Sequence, residues 1–176
     1  MADVYAIFGM LLALGIVFPG MLAAWWLLFP NKVELAGKRI ESTPWKSFGL
    51  GILGAVGIAI PVFVLFALPL PFAKFMGAVL LFGGLGFAGL GAAGMVKSMA
   101  GRLQERSSEK MTTAAAFVRA AVALELAAAF PMLGWFIVIP LTTIVSLGAA
   151  IFALLGWAPK EAAQPLTVKQ RLVAEI

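Results

Sequence analysis

LAAAFPMLGWFIVIPLTTIVSLGAAIFALLGWAP, residues 126–159, is a run of 34 residues without a single Asp, Glu, Lys or Arg. As one straight helix it would be about 51 Å long, whereas the hydrocarbon core of a bilayer is about 30 Å thick. The run must therefore turn, and residues 131–135 place a helix breaker, a glycine and an interfacial aromatic side chain together. We predict one helix from about residue 113 to 130 and another over 134–157.

Three more uncharged runs, residues 4–31, 47–73 and 75–96, are each at least 22 residues long. About 20 apolar residues suffice to cross a bilayer, so each run is long enough to span it. Residues 68–71, Leu-Pro-Leu-Pro, predict a tight turn between the second and third of these runs. The sequence therefore predicts an all-α, polytopic integral membrane protein with about five transmembrane helices, or four if residues 113–130 lie on the membrane surface.

The composition, 62% hydrophobic and 12% charged, leaves room for one transmembrane domain, which we place at residues 1–157. The first apolar run has no basic residue before it, so we expect a retained helix rather than a signal peptide. Residues 158–176 form a predicted cytoplasmic tail. Within it, residues 167–176 have the apolar spacing of a short amphipathic helix.

The distribution of basic residues predicts the orientation. With five crossings, 11 of the 13 Lys and Arg residues fall on one face, in residues 30–46, 97–110 and 159–176. Lys and Arg are enriched in cytoplasmic loops, so this face and the carboxyl terminus are predicted to be cytoplasmic and the amino terminus outside. The net charge of +5 is then explained by attraction to anionic lipid headgroups, and no nucleic-acid partner is predicted.

Missing residue types exclude several kinds of chemistry. The chain has no Cys, so it has no disulfide, thiolate metal site or cysteine nucleophile, and no His, so it has no imidazole base or haem ligand. Any catalytic centre would depend on Ser, Thr, Lys, Arg and eight carboxylates, of which only Glu125 lies in an apolar region. We therefore predict no enzyme activity, no cofactor and no metal site.

Glu125 is the principal polar candidate, since an ionisable group inside a membrane costs free energy and often has a function. A protonated Glu125 that clamps the 113–130 helix to the next one is one hypothesis. A contact with a ligand or another subunit, and an ion or proton site, are the alternatives. The expected partners are the carbonyl of Phe136, which Pro140 leaves without a donor, and the hydroxyls of Thr142, Thr143 and Ser146.

Arg119 lies six residues before Glu125, about 9 Å along the helix axis and on a different face. The two side chains are therefore not predicted to pair along one face. Arg119 is expected to extend to the cytoplasmic headgroups, with a salt bridge to a neighbouring helix or subunit as the alternative.

Two ridges of small residues mark the 75–96 helix. Gly84, Ala88 and Ala92 repeat at a spacing of four, and Gly89 with Ala93 forms a second ridge. Small side chains let another helix backbone approach closely. Packing within the chain is the expected use, and contact with another subunit is the alternative.

Four segments carry a resemblance to a known family: residues 28–51 (LFPNKVELAGKRIESTPWKSFGLG), 65–75 (LFALPLPFAKF), 130–141 (FPMLGWFIVIPL) and 146–151 (SLGAAI). In this order they resemble a bacterial and archaeal membrane domain that is often fused behind bactofilin-type, polymer-forming repeats. The resemblance covers roughly residues 10–157 and implies a membrane anchor or scaffold without established catalysis. It supplies no functional residues, and these 176 residues contain no such repeat module.

The sequence thus predicts a non-catalytic anchor, scaffold or accessory subunit of a larger assembly in the cytoplasmic (inner) membrane. Its predicted partners are the lipid bilayer and other membrane subunits or further copies of itself. The competing hypothesis is a small homo-oligomeric channel or transporter for ions or protons that uses Glu125. A water-filled path to Glu125 would distinguish the two.

Overall fold

The computed structural model describes the backbone of residues 2–107 and 111–157, with the side chains of Tyr5 and of all residues from Gly15 onward in those ranges. This part of the chain is all-helical, as predicted. The last helix contains a π-helical turn, Gly134–Val138. The helices are α1 (Ala2–Leu28), α2 (Pro30–Ser42), α3 (Pro44–Ala67), α4 (Pro71–Arg106), α5 (Thr113–Ala129) and α6 (Pro131–Leu154).

Proline residues set most of the helix boundaries. Helices α2, α3, α4 and α6 each begin at a proline. In the first turn of a helix the fixed φ of proline is favourable and its missing N–H costs no hydrogen bond. The proline also disfavours helical backbone in the residue before it, which ends the preceding helix. The predicted turn at residues 68–71 is present. The break predicted at residues 131–135 lies instead at Phe130, and residues 131–135 are helical because a proline is accommodated in the first turn of a helix.

Three helices, α3, α4 and α6, are long and apolar enough to cross a membrane. A fourth crossing is obtained if Gly15–Leu28 and α2, which meet at an angle of 109°, form one broken span. Helix α5 has 17 residues and is about 25 Å long, slightly short of a hydrocarbon core of about 30 Å. These long apolar helices are the elements of a multi-pass membrane protein.

Two segments that we assigned to loops from the sequence are helical. Helix α2 occupies most of the predicted loop 30–46, and its apolar stripe of Val33, Ala36, Gly37 and Ile40 faces the other helices. Helix α4 continues ten residues beyond its uncharged run to Arg106, so that its 36 residues extend over about 54 Å. The predicted amphipathic helix 167–176 lies outside the described residues.

Helices α4 and α6 run in the same direction, because α2 contacts the carboxyl-terminal part of both. A Cβ built on Gly37 of α2 would lie 2.8 Å from the carbonyl oxygen of Gly94 in α4. The Lys32 ammonium donates a hydrogen bond to the Ala153 carbonyl in α6, at 3.0 Å. We call α2 and the carboxyl-terminal parts of α4 and α6 the basic end of the bundle.

Helix α3 runs antiparallel to α4. Near their connecting turn a Cβ on Gly77 would lie 3.2 Å from Leu65, and further along one on Gly84 would lie 2.9 Å from Ile58. The turn between α3 and α4, together with Phe130, marks the opposite end of the bundle. Lys74 lies at this end.

The core is a junction of α3, α4 and α6 in which backbones touch. Three glycines lie so close to a carbonyl oxygen of a neighbouring helix that an added Cβ would collide with it. The pairs are Gly51 with the Ile144 carbonyl, Gly148 with the Ser47 carbonyl and Gly91 with the Ser146 carbonyl. Such close approach allows weak Cα–H···O hydrogen bonds and extensive dispersion contact, which stabilise helix pairs where no hydrophobic effect separates protein from lipid.

The two serines of this junction have hydroxyls that are buried without a hydrogen-bond partner among the described residues. An unpaired buried hydroxyl costs about 1–3 kcal/mol, so the packing around Ser47 and Ser146 must offset that cost.

The predicted small-residue ridges of α4 pack inside the chain. Gly84 faces α3, and a Cβ on Gly89 would lie 2.9 Å from the Trp25 indole nitrogen of α1. Ala88 and Ala93 are buried, and Ala92 is half-buried against the same core. The closest backbone contact of α4, at Gly91, lies beside the first ridge, on the side away from the second.

Adding one methyl group to α4 should have opposite effects at two nearby glycines. Gly91→Ala places a Cβ against the Ser146 carbonyl and should lower the melting temperature in detergent by several degrees. Gly83→Ala meets nothing within 4 Å, and alanine is a better helix former by about 1 kcal/mol, so this control should be neutral or stabilising. Equal melting temperatures for the two variants would contradict the proposed junction.

Candidate functional site

Glu125 lies in the seam between α5 and α1. Its carboxylate Oε1 is 3.7 Å from the point where a Cβ on Gly15 would stand. Eleven residues further along α1, in the direction of the basic end, the ring of Trp26 stacks on that of Phe117 with centroids 4.7 Å apart. These two contacts show that α1 and α5 run antiparallel, with Glu125 nearer the opposite end of the bundle.

The predicted partners of Glu125 on α6 lie elsewhere. Helix α5 packs mainly on α4 and α1, and meets α6 chiefly at the π-helical turn that follows the Phe130 break. The simple hairpin that we assumed from the sequence would pack α5 and α6 along their full length. Among the described side chains, no hydrogen bond or ion pair involves the Glu125 carboxylate.

Thr142 and Thr143 lie on α6 just after Pro140. The Thr142 hydroxyl donates to the carbonyls of Val138 and Ile139 within its own helix, and Thr143 is half-buried. In the π-helical turn before Pro140, the Ile139 N–H donates to the Gly134 carbonyl, five residues earlier instead of four. This change of hydrogen-bond spacing comes directly before Pro140, which has no N–H to donate. Thr142 therefore supports its own helix, and neither threonine forms a hydrogen bond with Glu125.

Arg119 is exposed on α5, and its guanidinium extends back along the helix toward the basic end. Its Nη1 lies 3.8 Å from the sulfur of Met111, eight residues earlier. This direction is the one expected of an arginine that reaches from a membrane-embedded position to the headgroups. Arg119 and Glu125 do not pair, as the sequence spacing predicted.

The densest group of polar contacts is at the basic end, where α2 crosses the end of α6. Besides the Lys32 contact to Ala153, the Arg39 Nε donates to the Trp157 carbonyl at 2.8 Å. The Arg39 guanidinium also lies 4.5 Å from the centroid of the Phe152 ring. Cations at a helix carboxyl terminus satisfy its free carbonyls and its dipole, so α2 acts as a cap for α6.

Helix α2 is joined to α4 by a second set of contacts. Glu34 pairs with Lys38 at 3.0 Å and with Lys97 of α4 at 3.5 Å. The Lys38 hydrogen bond, followed by the charge of Lys97, holds the pKa of Glu34 below its ordinary value. The Ser98 hydroxyl donates to Glu41, about two turns after Glu34 along α2, at 2.6 Å. We call α2 with these attachments the strap.

The strap is linked onward to the Glu125 seam through aromatic contacts. The ammonium of Lys97, which pairs with Glu34, lies 5.9 Å from the centroid of the Trp26 ring. Trp26 in turn stacks on Phe117 of α5. A cation over an aromatic face is attracted by the ring's charge distribution, so α2, α4, α1 and α5 meet in one connected group.

The sequence analysis missed the strap, although a signal was present. Val33, Ala36, Gly37 and Ile40 repeat at the spacing of one helical face, and Pro30 begins that pattern. Attention to charge alone led us to treat the segment as a loop. Within the described residues, no group of three or more acidic side chains is placed to hold a metal ion.

Removing the Lys32 cap should loosen the end of α6. Lys32→Met leaves the carbonyls of Ala153 and Leu154 without their cation, and a hydrogen bond from a charged donor contributes about 1.5–3 kcal/mol. Hydrogen exchange in the last turn of α6 should therefore become about tenfold faster. Lys74→Met, at the opposite end, is the control. Unchanged exchange in Lys32→Met would show that α2 does not hold α6.

No protein-family model, curated protein or solved structure matches this chain. The features that bear on its function are the strap, the glycine junction and the Glu125 seam.

Proposed function

We propose that the protein is a non-catalytic membrane anchor or scaffold, an accessory subunit of a larger assembly in the cytoplasmic membrane of a cell. The observation that carries the proposal is the strap. One helix fixes the ends of α4 and α6 through Lys32, Arg39 and Glu34, and so forms a rigid polar surface at one end of an apolar bundle. A fixed surface of this kind suits the attachment of another protein.

The proposal includes five membrane crossings, and chain connectivity supports that number. Helices α4 and α6 run in the same direction, and α2 contacts the carboxyl-terminal part of both. The chain between them must therefore return from the basic end to the opposite end, and α5 is the element that returns it. Its 17 residues, extended by the residues at its two ends, are sufficient when the helix is nearly upright.

The basic end is proposed to face the cytoplasm. Within the described residues it holds seven lysines and arginines, whereas the opposite end holds Lys74. Cytoplasmic ends of membrane helices are enriched in these residues. The amino terminus then lies outside, and the described chain ends at Trp157 on the cytoplasmic side.

A small ion or proton channel built around Glu125 is the second candidate, favoured by the carboxylate's place in the α1–α5 seam beside Gly15. A proton relay normally uses several titratable groups in sequence. Glu125 has no such neighbour among the described side chains. The structural role is therefore the better supported of the two.

Reporter fusions test the topology. A reporter active only in the cytoplasm should give signal when fused after Ile176 and none when fused after Lys74, because the two positions lie on opposite faces in the five-crossing arrangement. Matched expression of both fusions, checked by immunoblot, is the control. Reversed signals would contradict the orientation, and two inactive fusions would indicate four crossings.

Glu125→Gln separates the two functions. The amide keeps the size and hydrogen-bonding capacity of a neutral carboxyl group but does not titrate. For a scaffold, wild-type and variant chains should both be recovered from their native membrane, in mild detergent, with the same partner subunits in fixed ratio. Neither should move ions or protons across reconstituted vesicles.

The opposite pattern would overturn the proposal. A flux above that of empty vesicles, present in the wild type and abolished in Glu125→Gln, requires a titratable group and would establish the channel. Thr142→Val, which alters a hydroxyl bonded only within its own helix, serves as the control for general damage to the bundle.

A further inference from the structure

The depth of α2 in the membrane follows from its attachments. Helix α6 has 24 residues and is about 36 Å long, so its ends lie at the borders of a hydrocarbon core of about 30 Å. Lys32 and Arg39 contact the last residues of α6 and the residue Trp157 beyond it. Single non-helical residues, Phe29 and Thr43, join α2 to α1 and α3. The helix is therefore held at the level of the lipid headgroups.

The charges at this end of the bundle are unbalanced. The basic end carries seven basic and three acidic side chains among the described residues. Glu34 pairs with Lys38 and Lys97. Glu41 accepts a hydrogen bond from Ser98 and lies 3.9 Å from Arg102. No ion pair or hydrogen bond within the described part of the chain involves Lys46 or Arg106, and both are exposed. Positive charge thus remains available on the outer surface of the basic end.

An exposed tryptophan adjoins this charge. The Trp45 side chain is 82% exposed at the first turn of α3, directly before Lys46. A second exposed tryptophan, Trp157, lies at the same end beyond α6. Tryptophan rings with one polar edge are favourable at the border between acyl chains and headgroups, so these side chains suit contact with lipid.

From this placement we infer that the part of the basic end outside the strap binds anionic phospholipid headgroups, with Lys46 and Arg106 as its phosphate-contacting side chains and Trp45 packed against the adjoining acyl chains. The surface selects anionic over zwitterionic lipid because Lys46 and Arg106, unlike Lys38, Lys97 and Arg102, form no ion pair with a carboxylate within the described residues. This inference rests on the membrane-spanning helices and, in its choice of leaflet, on the cytoplasmic orientation proposed above, whereas the scaffold function is tested separately by the recovery of partner subunits.

Lipid fits this surface better than a soluble acidic protein does. Trp45 and Lys46 begin a helix that crosses the membrane, and Trp45 exposes an apolar ring that a polar protein surface would not cover. Anionic lipids in the cytoplasmic leaflet lie at the same level at high local concentration, and attraction to them falls off within about 10 Å of the surface.

Lipid titration of the full chain in a neutral detergent provides the test. Dioleoylphosphatidylglycerol and dioleoylphosphatidylcholine are added separately, and bound lipid is counted by native mass spectrometry. Lys46→Gln and Arg106→Gln are the informative variants, because neither removes an ion pair or hydrogen bond among the described residues. Lys74→Gln, which removes an exposed lysine at the opposite end, is the matched control.

We expect the wild type to bind phosphatidylglycerol at least about fivefold more tightly than phosphatidylcholine, and each informative variant to lose about fivefold for phosphatidylglycerol only. Lys74→Gln should behave as the wild type. Equal affinity for the two lipids, or an equal loss in Lys74→Gln, would overturn the inference. Displacement of phosphatidylglycerol by soluble polyglutamate at low concentration would also overturn it, in favour of an acidic protein partner.

Discussion

Backbone contact at glycine is the interaction on which this bundle depends. In lipid the hydrophobic effect does not drive helices together, so their association relies on dispersion and on weak hydrogen bonds that require close approach. Gly51, Gly91 and Gly148 each bring a helix backbone against a carbonyl oxygen of its neighbour. The large apolar side chains of α3 and α6 can then point outward to lipid without weakening the core.

The strap, which is an amphipathic helix, is held by the same close approach of backbones at glycine. Gly37 and Gly94 let α2 lie directly on α4, so that Glu34 and Lys32 reach partners on two different helices. Without that approach, the salt bridges would join exposed side chains over longer distances, where such pairs contribute little. The polar contacts at the basic end therefore depend on apolar backbone packing beneath them.

Sequence reasoning predicted the helices and their breaks because proline, charge and run length act locally. The turn at residues 68–71 and the break beside Pro131 follow from proline chemistry alone. Sequence reasoning did not predict contacts between helices, because these depend on which helices meet in the fold. Glu125 faces Gly15 of α1, a residue 110 positions away, and no local pattern indicates that pairing. Nor does the sequence show which of the many glycines in α4 touches a carbonyl.

The separation of polar groups along the bundle bears most directly on function. At the basic end, cations and carboxylates satisfy one another or the free carbonyls of a helix end, and the contacts link four helices. The ionisable group nearer the opposite end is a single carboxylate in a seam, without a partner among the described side chains. Moving an ion across a membrane requires favourable sites in series along its path. Within the described residues, the polar contacts are instead concentrated at the basic end, where α2 joins the carboxyl-terminal part of α4 to the end of α6.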